Sequence, residues 1–551
     1  MEYNLADLFE SVVDAVPDRE ALVYADLPGT GAVRRLTYAE LDAAANRVAH
    51  HLTAAGIRPG EHLGLHLYNG VEYVQTLLGA LKARIVPVNV NYRYVEAELV
   101  HLYRDADLAA LVFDAEFGGR VAGALPRTEK LRHLLRVGER GGGPDGGRDG
   151  GPGADGVPGV VDFATATAAA SPERGFPARS ADDLFIVYTG GTTGLPKGVM
   201  WRQEDLFFSG LGGGAPTGVP VGRPEELAER VAAGGDGLVF FPAPPLMHGT
   251  STLTTFIAFH FGQRVVLHRR FTAEDVLRTV AKERVSTVSL VGDAMLRPLI
   301  DALSGPMAGT DLSSLFSISS SGAIMSDSVR AEFAALAPHV MLLNNFGSSE
   351  SGFNGTATED SGPEKGFRLR VNARTAVVDP VTYEPVAVGE PGRIAQRGHV
   401  PLGYYNDPAK TAETFFRRGG ERWVLLGDMA TVDGDGVVTV LGRGSQCINT
   451  GGEKVYPEEV EQALKAHPGV YDALVAGVPD ARWGHRVAAV VQLRDGVVPP
   501  TLDEIRNHCR ERLAGYKLPR QLVVAGEIRR SPSGKADYRW ARSVASEAAA
   551  G

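Results

Sequence analysis

The sequence predicts an α/β fold: a large N-terminal domain of parallel α/β subdomains plus a β-rich subdomain, followed by a small α+β C-terminal domain. Three observations support this organisation. Strand-like and helix-like segments alternate up to residue 346, as parallel strands joined by crossover helices do. Residues 367–441 are β-rich, with turn dipeptides such as Asp433-Gly434. Residues 449–551 have their own apolar segments, so we place a domain boundary at 443–448 and assign 1–442 to the first domain.

The beginning of the N-terminal domain mixes the two kinds of element. Residues 37–56 repeat apolar side chains at helical spacing, whereas 62–67 and 84–90 are short apolar strands. A break follows at 138–159, where glycine and charged residues leave almost no apolar side chain to bury. We therefore expect 138–159 to be a disordered surface insertion.

The alternation is clearest after this insertion. The predicted strands are 184–189, 238–241, 264–268, 286–291, 316–320 and 340–346. The predicted helices are 202–208, 249–261, a helix that begins at Thr272 with Asp275 in the capping-box position, 293–303 and 326–335. In parallel sheets of this kind, ligands bind beyond the carboxyl ends of the strands. The C-terminal domain adds apolar segments at 473–478, 486–493 and 521–526 and a helix near 502–513.

Composition excludes several classes of protein. The chain has 551 residues, a formal net charge of −10 and no basic stripe, which argues against a nucleic-acid binder. No apolar run reaches the roughly 18 residues of a transmembrane helix. The first 24 residues lack the basic start and apolar segment of a signal peptide. Cys447 and Cys509 lie far apart, as structural thiols do, and we predict a cytoplasmic protein.

The stretch "YTGGTTGLPKGVM", residues 188–200, follows the first strand of the alternating region. Its glycines allow close backbone approach, and its free N–H groups, hydroxyls and lysine can together surround a phosphate. The alternative is a flexible surface loop. A P-loop is excluded because Pro196 precedes Lys197 and Gly198 follows it, and the Rossmann glycine pattern is also absent. The candidate phosphate ligands are Thr189, Gly190, Gly191, Thr192, Thr193, Gly194 and Lys197.

Four further motifs accompany this loop: "NNFGSSE" at 344–350, "LLGDMA" at 425–430, "LGRGSQCINTGGEKVYPEEVE" at 441–461 and "SPSGKADY" at 531–538. In order and spacing, the five motifs resemble the adenylate-forming superfamily of acyl-CoA synthetases, luciferases and peptide-synthetase adenylation domains. The resemblance covers nearly the whole chain. It implies that ATP activates a carboxylic acid as an acyl-adenylate, which the thiol of coenzyme A then attacks, and that the C-terminal domain is mobile.

The resemblance assigns roles to individual residues. Lys535 matches the catalytic lysine that bridges the carboxylate and the α-phosphate, with Thr192 and Lys197 of the loop and His248 as further catalytic residues. Glu350 matches the Mg²⁺ ligand. The nucleotide is expected to contact Ser321, Gly322, Ala323, Asn345, Phe346, Gly347, Ser348, Ser349, Asp428 and Arg443, with Asp428 on the ribose. Gly451 and Gly452 match a segment that lets the pantetheine arm of coenzyme A pass.

Two residues depart from the family pattern. Gly190 stands where many members have serine, which removes a hydroxyl but keeps the shape of the loop. Gln446 stands at the hinge position, where aspartate or lysine is usual, and Gly444 beside it supplies backbone freedom. The hinge predicted for 443–448 therefore keeps its flexibility but has different polar contacts.

The acyl pocket is expected to be formed by residues 244–262 and 289–303, with His248 as a gate. No aspartate stands where members that activate amino acids bind an ammonium group. Small residues beside apolar walls suit a long or bulky lipid acid, and the continuation "GVMWRQEDLF" resembles actinobacterial fatty-acid ligases, including those for steroid side-chain carboxylates. The expected partners are thus a small-molecule carboxylic acid, ATP and coenzyme A.

Several alternatives stay open at this point. The acid could be aryl or medium-chain, and an acyl-AMP ligase would deliver the acyl group to a carrier protein instead of coenzyme A. A nucleotide-regulated binding protein is disfavoured by the intact Lys535, Glu350 and Lys197. A luciferase-like oxygenase shares the fold, which alone does not specify the reaction. The oligomeric state is also open, with a dimer among the options.

Overall fold

The computed structural model describes residues 1–25, 33–138, 157, 159–189, 196–215, 218–235, 237–358, 361, 367–450, 453–480, 483–531 and 534–550. Nearly all of the predicted insertion at 138–159 lies outside these residues. The helices are α1 (Leu5–Ala15), α2 (Tyr38–Ala54), α3 (Val71–Lys82), α4 (Glu96–Asp105), α5 (Gly118–Ala124), α6 (Phe163–Ala168), α7 (Gln203–Gly210), α8 (Glu225–Ala233), α9 (Gly249–His260), α10 (Ala273–Glu283), α11 (Asp293–Leu303), α12 (Asp327–Leu336), α13 (Pro408–Thr414), α14 (Pro457–Lys465), α15 (Leu502–Arg510) and α16 (Tyr538–Ala550).

The strands before residue 350 are β1 (Glu20–Ala25), β2 (Val33–Thr37), β3 (His62–His66), β4 (Val86–Asn89), β5 (Leu108–Asp114), β6 (His133–Val137), β7 (Val160–Asp162), β8 (Leu184–Thr189), β9 (Lys197–Arg202), β10 (Val239–Pro242), β11 (Arg264–Leu267), β12 (Thr287–Leu290), β13 (Ser317–Ser321) and β14 (Met341–Ser348). Those after it are β15 (Gly352–Ala357), β16 (Phe367–Val371), β17 (Thr375–Val378), β18 (Gly392–Arg397), β19 (Gly403–Tyr404), β20 (Phe415–Arg418), β21 (Glu421–Val432), β22 (Val438–Arg443), β23 (Ile448–Thr450), β24 (Glu453–Val455), β25 (Val470–Asp480), β26 (Gly484–Leu493) and β27 (Gln521–Ala525).

Local sequence signals account for the helix starts. Thr272 precedes α10, and its side chain accepts a hydrogen bond from the Asp275 backbone N–H, as predicted. Thr501 and Glu504 form a reciprocal capping box at the start of α15. The helix predicted near 502–513 is shorter and ends at Arg510.

The largest sheet joins the α/β and β-rich regions. Its order is β17-β18-β21-β22-β16-β15-β14-β13-β12-β10-β11-β1-β2, with β20 beside β21. The strands β14, β13, β12, β10, β11 and β1 are parallel, whereas pairing is antiparallel from β14 to β17. The β-rich subdomain therefore extends the same sheet beyond β14.

A second sheet has the order β19-β9-β8-β4-β3-β5-β6-β7. The sequence predicted one continuous alternating region that begins with the strand at 184–189. In the structure, β8 and β9 belong to this second sheet, whereas β10–β14 belong to the first. Strands β8 and β9 also form a hairpin, since β9 is antiparallel to β8. Strands of similar length and composition can join either sheet, and long-range packing decides which.

The core of the N-terminal domain lies between these two sheets and the helices that separate them, mainly α1, α2, α3, α7 and α9. Lys82 on α3 is fully buried there, and its ammonium contacts the carboxylates of Glu10 (2.5 Å) and Asp42 (2.6 Å). This paired cation ties three helices together, because breaking a buried ion pair leaves an uncompensated charge.

The small C-terminal domain has a sheet of its own, ordered β24-β23-β26-β25 with β27 parallel to β26. Helices α14 and α15 cover one face and α16 the other. Cys509 is buried in this core, where burial raises the pKa of its thiol to about 11, as suits a structural cysteine. None of the helices in the described ranges has the length and apolar character needed to cross a bilayer.

Ion pairs join the two domains. The Lys465 ammonium at the end of α14 lies 3.1 Å from an Asp293 carboxylate oxygen on α11. Arg494 pairs with Glu332 on α12 at 2.7 Å, and the Tyr471 hydroxyl donates to Asp301 at 3.0 Å. These contacts hold the C-terminal domain in the orientation that places Lys535 against the N-terminal domain.

Candidate active site

A cavity of about 730 Å³ opens at the carboxyl ends of β13 and β14, beside the start of α9. Its size is typical of a small-molecule site. The predicted site residues among those that line it are Thr189, His248, Ser321, Gly322, Asn345, Phe346, Gly347, Ser348, Ser349 and Lys535. Residues more than three hundred positions apart in sequence thus converge on one space.

Lys535 enters this cavity on a tight turn of the C-terminal domain. The Ser531 N–H donates to the Lys535 carbonyl (2.7 Å), and the Lys535 N–H donates to the Ser531 hydroxyl (3.1 Å). Gly534 has a φ of +76°, and a Cβ there would lie 3.1 Å from Val291, so the turn requires glycine. At Gly322, a Cβ would lie 3.4 Å from the Lys535 Cε. The lysine side chain therefore reaches across the domain boundary to the end of β13.

His248 lies at the start of α9 and faces the same cavity. Burial, together with the positive charges of Lys535 and Arg93, lowers the pKa of His248 to about 3. The imidazole is therefore neutral at physiological pH. Its Nε2 atom is buried and has no hydrogen-bond partner in the described structure. A neutral, unpartnered ring nitrogen can donate to or accept from a ligand polar group without adding charge.

The wall formed by β13 and β14 presents backbone and aromatic surface. Gly322 follows β13 with a φ of +85°, and Phe346 lines the cavity while packing on the core of the β-rich subdomain. Ala323 is an exception among the predicted residues. It is not among the residues that line the cavity, and its methyl group instead faces Gly292, where a Cβ would lie 2.8 Å away.

The glycine-rich loop joins β8 to β9. Thr189 and Lys197 are register partners at its two ends, so the loop begins at the cavity wall. The predicted phosphate ligands Gly190, Gly191, Thr192, Thr193 and Gly194 lie outside the described residues. Their contacts with a ligand stay a prediction.

Lys197 and Glu350 lie together beside the cavity, linked by Tyr404. The Lys197 ammonium is 2.9 Å from an Asp407 oxygen and 5.5 Å from the centre of the Tyr404 ring. The Tyr404 hydroxyl donates to Glu350 Oε1 at 3.0 Å. Hydrogen bonds from the Lys410 N–H and from Lys197 lower the pKa of Asp407, which is therefore an anion at neutral pH.

The remaining predicted site residues differ in whether they line the cavity. Asp428 and Arg443 are register partners on β21 and β22, and Asp428 is not among the residues that line the cavity. Gln446 does line it. Gly451 and Gly452, which connect β23 to β24 in the sequence, lie outside the described residues. The hinge at 443–448 and the domain boundary stay predictions.

The cavity continues into an apolar part. Its walls there include Leu65, Tyr73, Leu77, Phe185, Trp201, Leu206, Leu253 and Ile257. Residues 247–257 contribute, as the predicted pocket segment 244–262 implied. The other predicted segment contributes only Ser289 and Val291, because α11 turns away from this cavity toward the C-terminal domain. The assignment of 289–303 to the acyl pocket stays a prediction, with Ser289 and Val291 as the residues of this segment that line the cavity.

Sequence reasoning missed several residues of the site. Tyr404 positions Glu350, and the Trp201 indole N–H donates to the Ser349 carbonyl at 2.9 Å. Helices α3 and α7 also supply apolar wall residues that no motif marked. The run Tyr404-Tyr405-Asn406-Asp407 was the available signal, since aromatic and polar residues cluster there beside a glycine turn. An apolar residue that lines a pocket looks the same in sequence as a core residue.

Comparison with known proteins agrees with this geometry. The AMP-binding enzyme family matches residues 9–405, and the AMP-binding enzyme C-terminal domain matches 459–535. The chain belongs to the AMP-binding enzyme family. The resemblance inferred from the five motifs is thereby confirmed, as is the prediction that the chain is an enzyme of this class.

Two full-length relatives are similar to this AMP-binding enzyme. One is the medium/long-chain-fatty-acid–CoA/3-oxocholest-4-en-26-oate–CoA ligase of Mycobacterium tuberculosis, 46% identical over 98% of this chain and 95% of the relative. The other is the 3-oxocholest-4-en-26-oate–CoA ligase of Rhodococcus rhodochrous, 44% identical over 98% and 96%.

Solved structures agree with the fold of an AMP-binding enzyme. The anthranilate CoA ligase AuaEII in complex with anthranoyl-AMP superposes with a TM-score of 0.82 at 23% identity, covering 100% of this chain and 98% of that one. ATP-bound MatB from Rhodopseudomonas palustris has a TM-score of 0.80 at 25% identity, covering 98% and 99%. The predicted fold class, a large N-terminal α/β domain with a small C-terminal domain, is confirmed.

Proposed function

We propose that this AMP-binding enzyme is an ATP-dependent acyl-CoA ligase for a long-chain or bulky lipid carboxylate, either a fatty acid or a steroid side-chain acid. The observation that carries the proposal is the single cavity in which Lys535, neutral His248 and the β13–β14 wall adjoin a deep apolar part. The two relatives at 44–46% identity are named for these substrate classes, which supports the choice of acid.

The residues suit formation of an acyl-adenylate. Attack of a carboxylate oxygen on the α-phosphate of ATP gathers negative charge at phosphorus, and a preorganised cation stabilises that charge. Lys535 is the residue we assign to this role, with Thr192, Lys197 and the glycine-rich loop around the phosphates. Neutral His248 would contact the bound carboxyl group without attracting it electrostatically away from Lys535.

Glu350 is our candidate ligand for Mg²⁺. Mg²⁺ is usually held by one or two carboxylates together with substrate phosphates and water. Glu350 has one oxygen bound by the Tyr404 hydroxyl, and that bond fixes its orientation. When bound, the ion would neutralise charge on the β- and γ-phosphates.

The nucleotide and coenzyme A contacts complete the proposal. We assign Ser321, Gly322, Asn345, Phe346, Gly347 and Ser348 to the adenine end, the Ser349 hydroxyl to the α-phosphate, and Asp428 and Arg443 to the ribose. After rotation about 443–448, Gly451 and Gly452 would admit pantetheine. Asp428 does not line the cavity in this orientation, so its proposed contact with the ribose would require a displacement of β21 toward the cavity.

A two-step assay tests the function. ATP–pyrophosphate exchange should depend on an added carboxylate, and a series from acetate to sterol carboxylates should give the highest exchange with long or polycyclic acids. Addition of coenzyme A should then consume free thiol in proportion to AMP released. Exchange without thiol consumption would identify an acyl-AMP ligase for a carrier protein. Absence of carboxylate-dependent exchange would contradict the enzyme proposal itself.

A further inference from the structure

One wall of the active-site cavity carries hydroxyl groups where a covered sheet is usually apolar. Ser289 on β12 and Ser319 on β13 are register partners, so their side chains share one face of the sheet, and both line the cavity. The opposite face of the same strands presents Val288 and Ile318 to a hydrophobic core. Parallel strands that helices cover normally have apolar side chains on both faces. The two serines on the cavity side therefore depart from the usual composition of such a sheet.

Thr254 on α9 extends the two serines into a row of three hydroxyl groups. Its Oγ1 atom lies 3.2 Å from the Ser289 Oγ atom, which lies 3.4 Å from the Ser319 Oγ atom. A threonine inside a helix commonly donates to the carbonyl one turn earlier, as Thr255 does to Ser251 at 2.9 Å. Thr254 instead contacts the strands and lines the cavity. We call Thr254, Ser289 and Ser319 the hydroxyl row.

The hydroxyl row has one more donor than its internal hydrogen bonds use. Each of its three side chains carries one O–H group, and two hydrogen bonds join them. Within the described ranges, these side chains form no further hydrogen bond. One O–H group therefore has no acceptor in the protein, and the cavity is the space into which it can donate. Ser289, at the centre of the row, is only 4% exposed.

The hydroxyl row lies at a distance from Lys535. Ser319 and Ser321 are alternate residues of β13, so they share a face and are roughly 7 Å apart along the strand. The Lys535 side chain approaches Gly322, just beyond the end of this strand. An acid whose carboxylate meets Lys535 would therefore place its hydrocarbon part beside the hydroxyl row.

We propose that the hydroxyl row is a specificity site for an oxygen substituent on the acid, in the half of the hydrocarbon part nearer to the carboxylate. This inference rests on the proposed function, because it concerns the same acyl pocket. A ketone suits the row best, since its oxygen accepts the remaining O–H group and brings no donor of its own. A methylene group at the same place would leave that O–H group without an acceptor, which is unfavourable. The row should thus distinguish keto acids from plain acids of the same length.

Binding of a positional series of keto acids tests the hydroxyl row without turnover. The full chain is titrated calorimetrically, with α,β-methylene-ATP present, against octadecanoic acid and octadecanoic acids in which a single ketone is moved along the chain one carbon at a time. We expect the affinity relative to octadecanoic acid to peak at adjacent ketone positions in the half nearer to the carboxylate. The peak should be about three- to tenfold, the usual strength of one hydrogen bond.

Variants of the strand serines locate the source of the peak. The measure is the ratio of the two affinities within each variant, which cancels any general loss of binding. In Ser289→Ala/Ser319→Ala the remaining Thr254 can bond to its own helix, so the ratio should fall close to one. The matched control is Ser317→Ala. This serine lies on the same face of β13, but its hydroxyl donates to Thr287 at 2.9 Å and it does not line the cavity, so the ratio should keep its wild-type value.

Each outcome decides the inference. A peak in the wild type that disappears in Ser289→Ala/Ser319→Ala and persists in Ser317→Ala supports it. The absence of any ketone position that exceeds octadecanoic acid, or an equal peak in the wild type and the double variant, overturns it. If the double alanine variant fails to fold, Ser289→Cys/Ser319→Cys decides, because it exchanges O–H donors for weak S–H donors with little change in size. Failure of carboxylate-dependent exchange would contradict the proposed function and leave the binding ratios intact.

Discussion

Lys535 depends on one glycine and one serine for its position. The turn from Ser531 to Lys535 is closed by backbone hydrogen bonds, and Gly534 supplies its positive φ. The side chain is exposed on its own domain and becomes part of a site only because the other domain presents Gly322 opposite it. A single flexible cation at a domain boundary is well suited to act in one orientation and to leave in another.

Replacing Lys535 by alanine should remove charge stabilisation from the adenylation step. We expect the rate of carboxylate-dependent ATP–pyrophosphate exchange to fall by about 10²–10³, or roughly 3–4 kcal/mol, as when one oriented donor is lost elsewhere. Reaction of supplied acyl-adenylate with coenzyme A should largely persist, because we propose that this step uses another orientation of the C-terminal domain. Equal losses in both half-reactions would contradict the two-orientation mechanism.

The segment from β23 to the end of α14 has two proposed roles, one in thioester formation and one in holding the domain orientation. Residues 451–452, which connect β23 to β24 in the sequence, lie outside the described residues, and we propose that these two glycines let pantetheine pass. Helix α14 follows β24 and ends at Lys465, whose ammonium contacts α11. One short stretch therefore carries both the proposed thioester contact and an ionic contact that holds the present orientation.

The glycine at 452 tests coenzyme A as the acceptor. A leucine side chain at position 452 should obstruct the proposed passage for pantetheine. Gly452→Leu should therefore lower thioester output by at least about tenfold, a barrier rise near 1.4 kcal/mol. Pyrophosphate exchange should continue at close to the wild-type rate, and bound acyl-adenylate should accumulate. Normal acyl-CoA formation by this variant would show that the passage lies elsewhere.

Lys465 tests the ionic contact between α14 and α11. Burial would lower the pKa of Lys465, but the carboxylates of Asp293 and Asp472 outweigh it and raise the pKa, so the side chain is charged. Lys465→Met leaves Asp293 buried without its cation and should cost about 3 kcal/mol in the free energy of unfolding. Urea unfolding measures this cost. The matched control is Lys282→Met, which replaces an exposed lysine on α10.

Two activity measurements distinguish the loss of the Lys465–Asp293 ion pair from a general loss of packing. Exchange activity should fall in Lys465→Met, because fewer molecules hold Lys535 at the candidate active site. Thioester formation from supplied adenylate should be affected less. If the Lys465→Met and Lys282→Met variants unfold at the same urea concentration, the interdomain pair contributes nothing measurable.

At the scale of the whole molecule, buried histidines make stability depend on pH. Burial lowers the pKa of His66, His248 and His260 to about 3 each, with smaller contributions from nearby cations at His66 and His248. In the unfolded chain these groups titrate near 6.5. The unfolded state therefore binds more protons between about pH 3 and 6.5. Stability is fully present above pH 6.5 and declines as the pH falls through this window.

Each buried histidine adds up to about 1.4 kcal/mol of destabilisation per pH unit within that window. We expect the urea midpoint to fall steadily from pH 7 to 5. His66 stacks on Phe117 at 4.5 Å between ring centres, so His66→Phe retains an aromatic ring and should reduce the pH slope by up to one proton. His485→Gln, at an exposed position, should reduce it less. An unchanged slope in His66→Phe would contradict a neutral buried His66.

The sequence alone determined the class of fold, most element positions and the family. The spacing of apolar residues in a helix or strand reflects which side chains are buried, and this spacing can be read from a short stretch of sequence. The observed bounds of α9, α10, α11 and β8 therefore lie close to the predicted ones. The family resemblance that the five motifs carry assigned Lys535, Phe346, Ser321 and Gly322 to the site, and all four residues line the cavity of the candidate active site.

Only the tertiary structure decided which segments meet. The assignment of β8 to one sheet and β10–β14 to the other, the turning of α11 toward the C-terminal domain, and the contact of Tyr404 with Glu350 all depend on pairings far apart in sequence. A cavity between the domains is the clearest case, since Arg297 on α11 and Arg530 of the C-terminal domain share no motif and line one space only because the domains dock. Local side-chain chemistry specifies an element, whereas the burial of one element against another, which involves many weak contacts at once, specifies its neighbours.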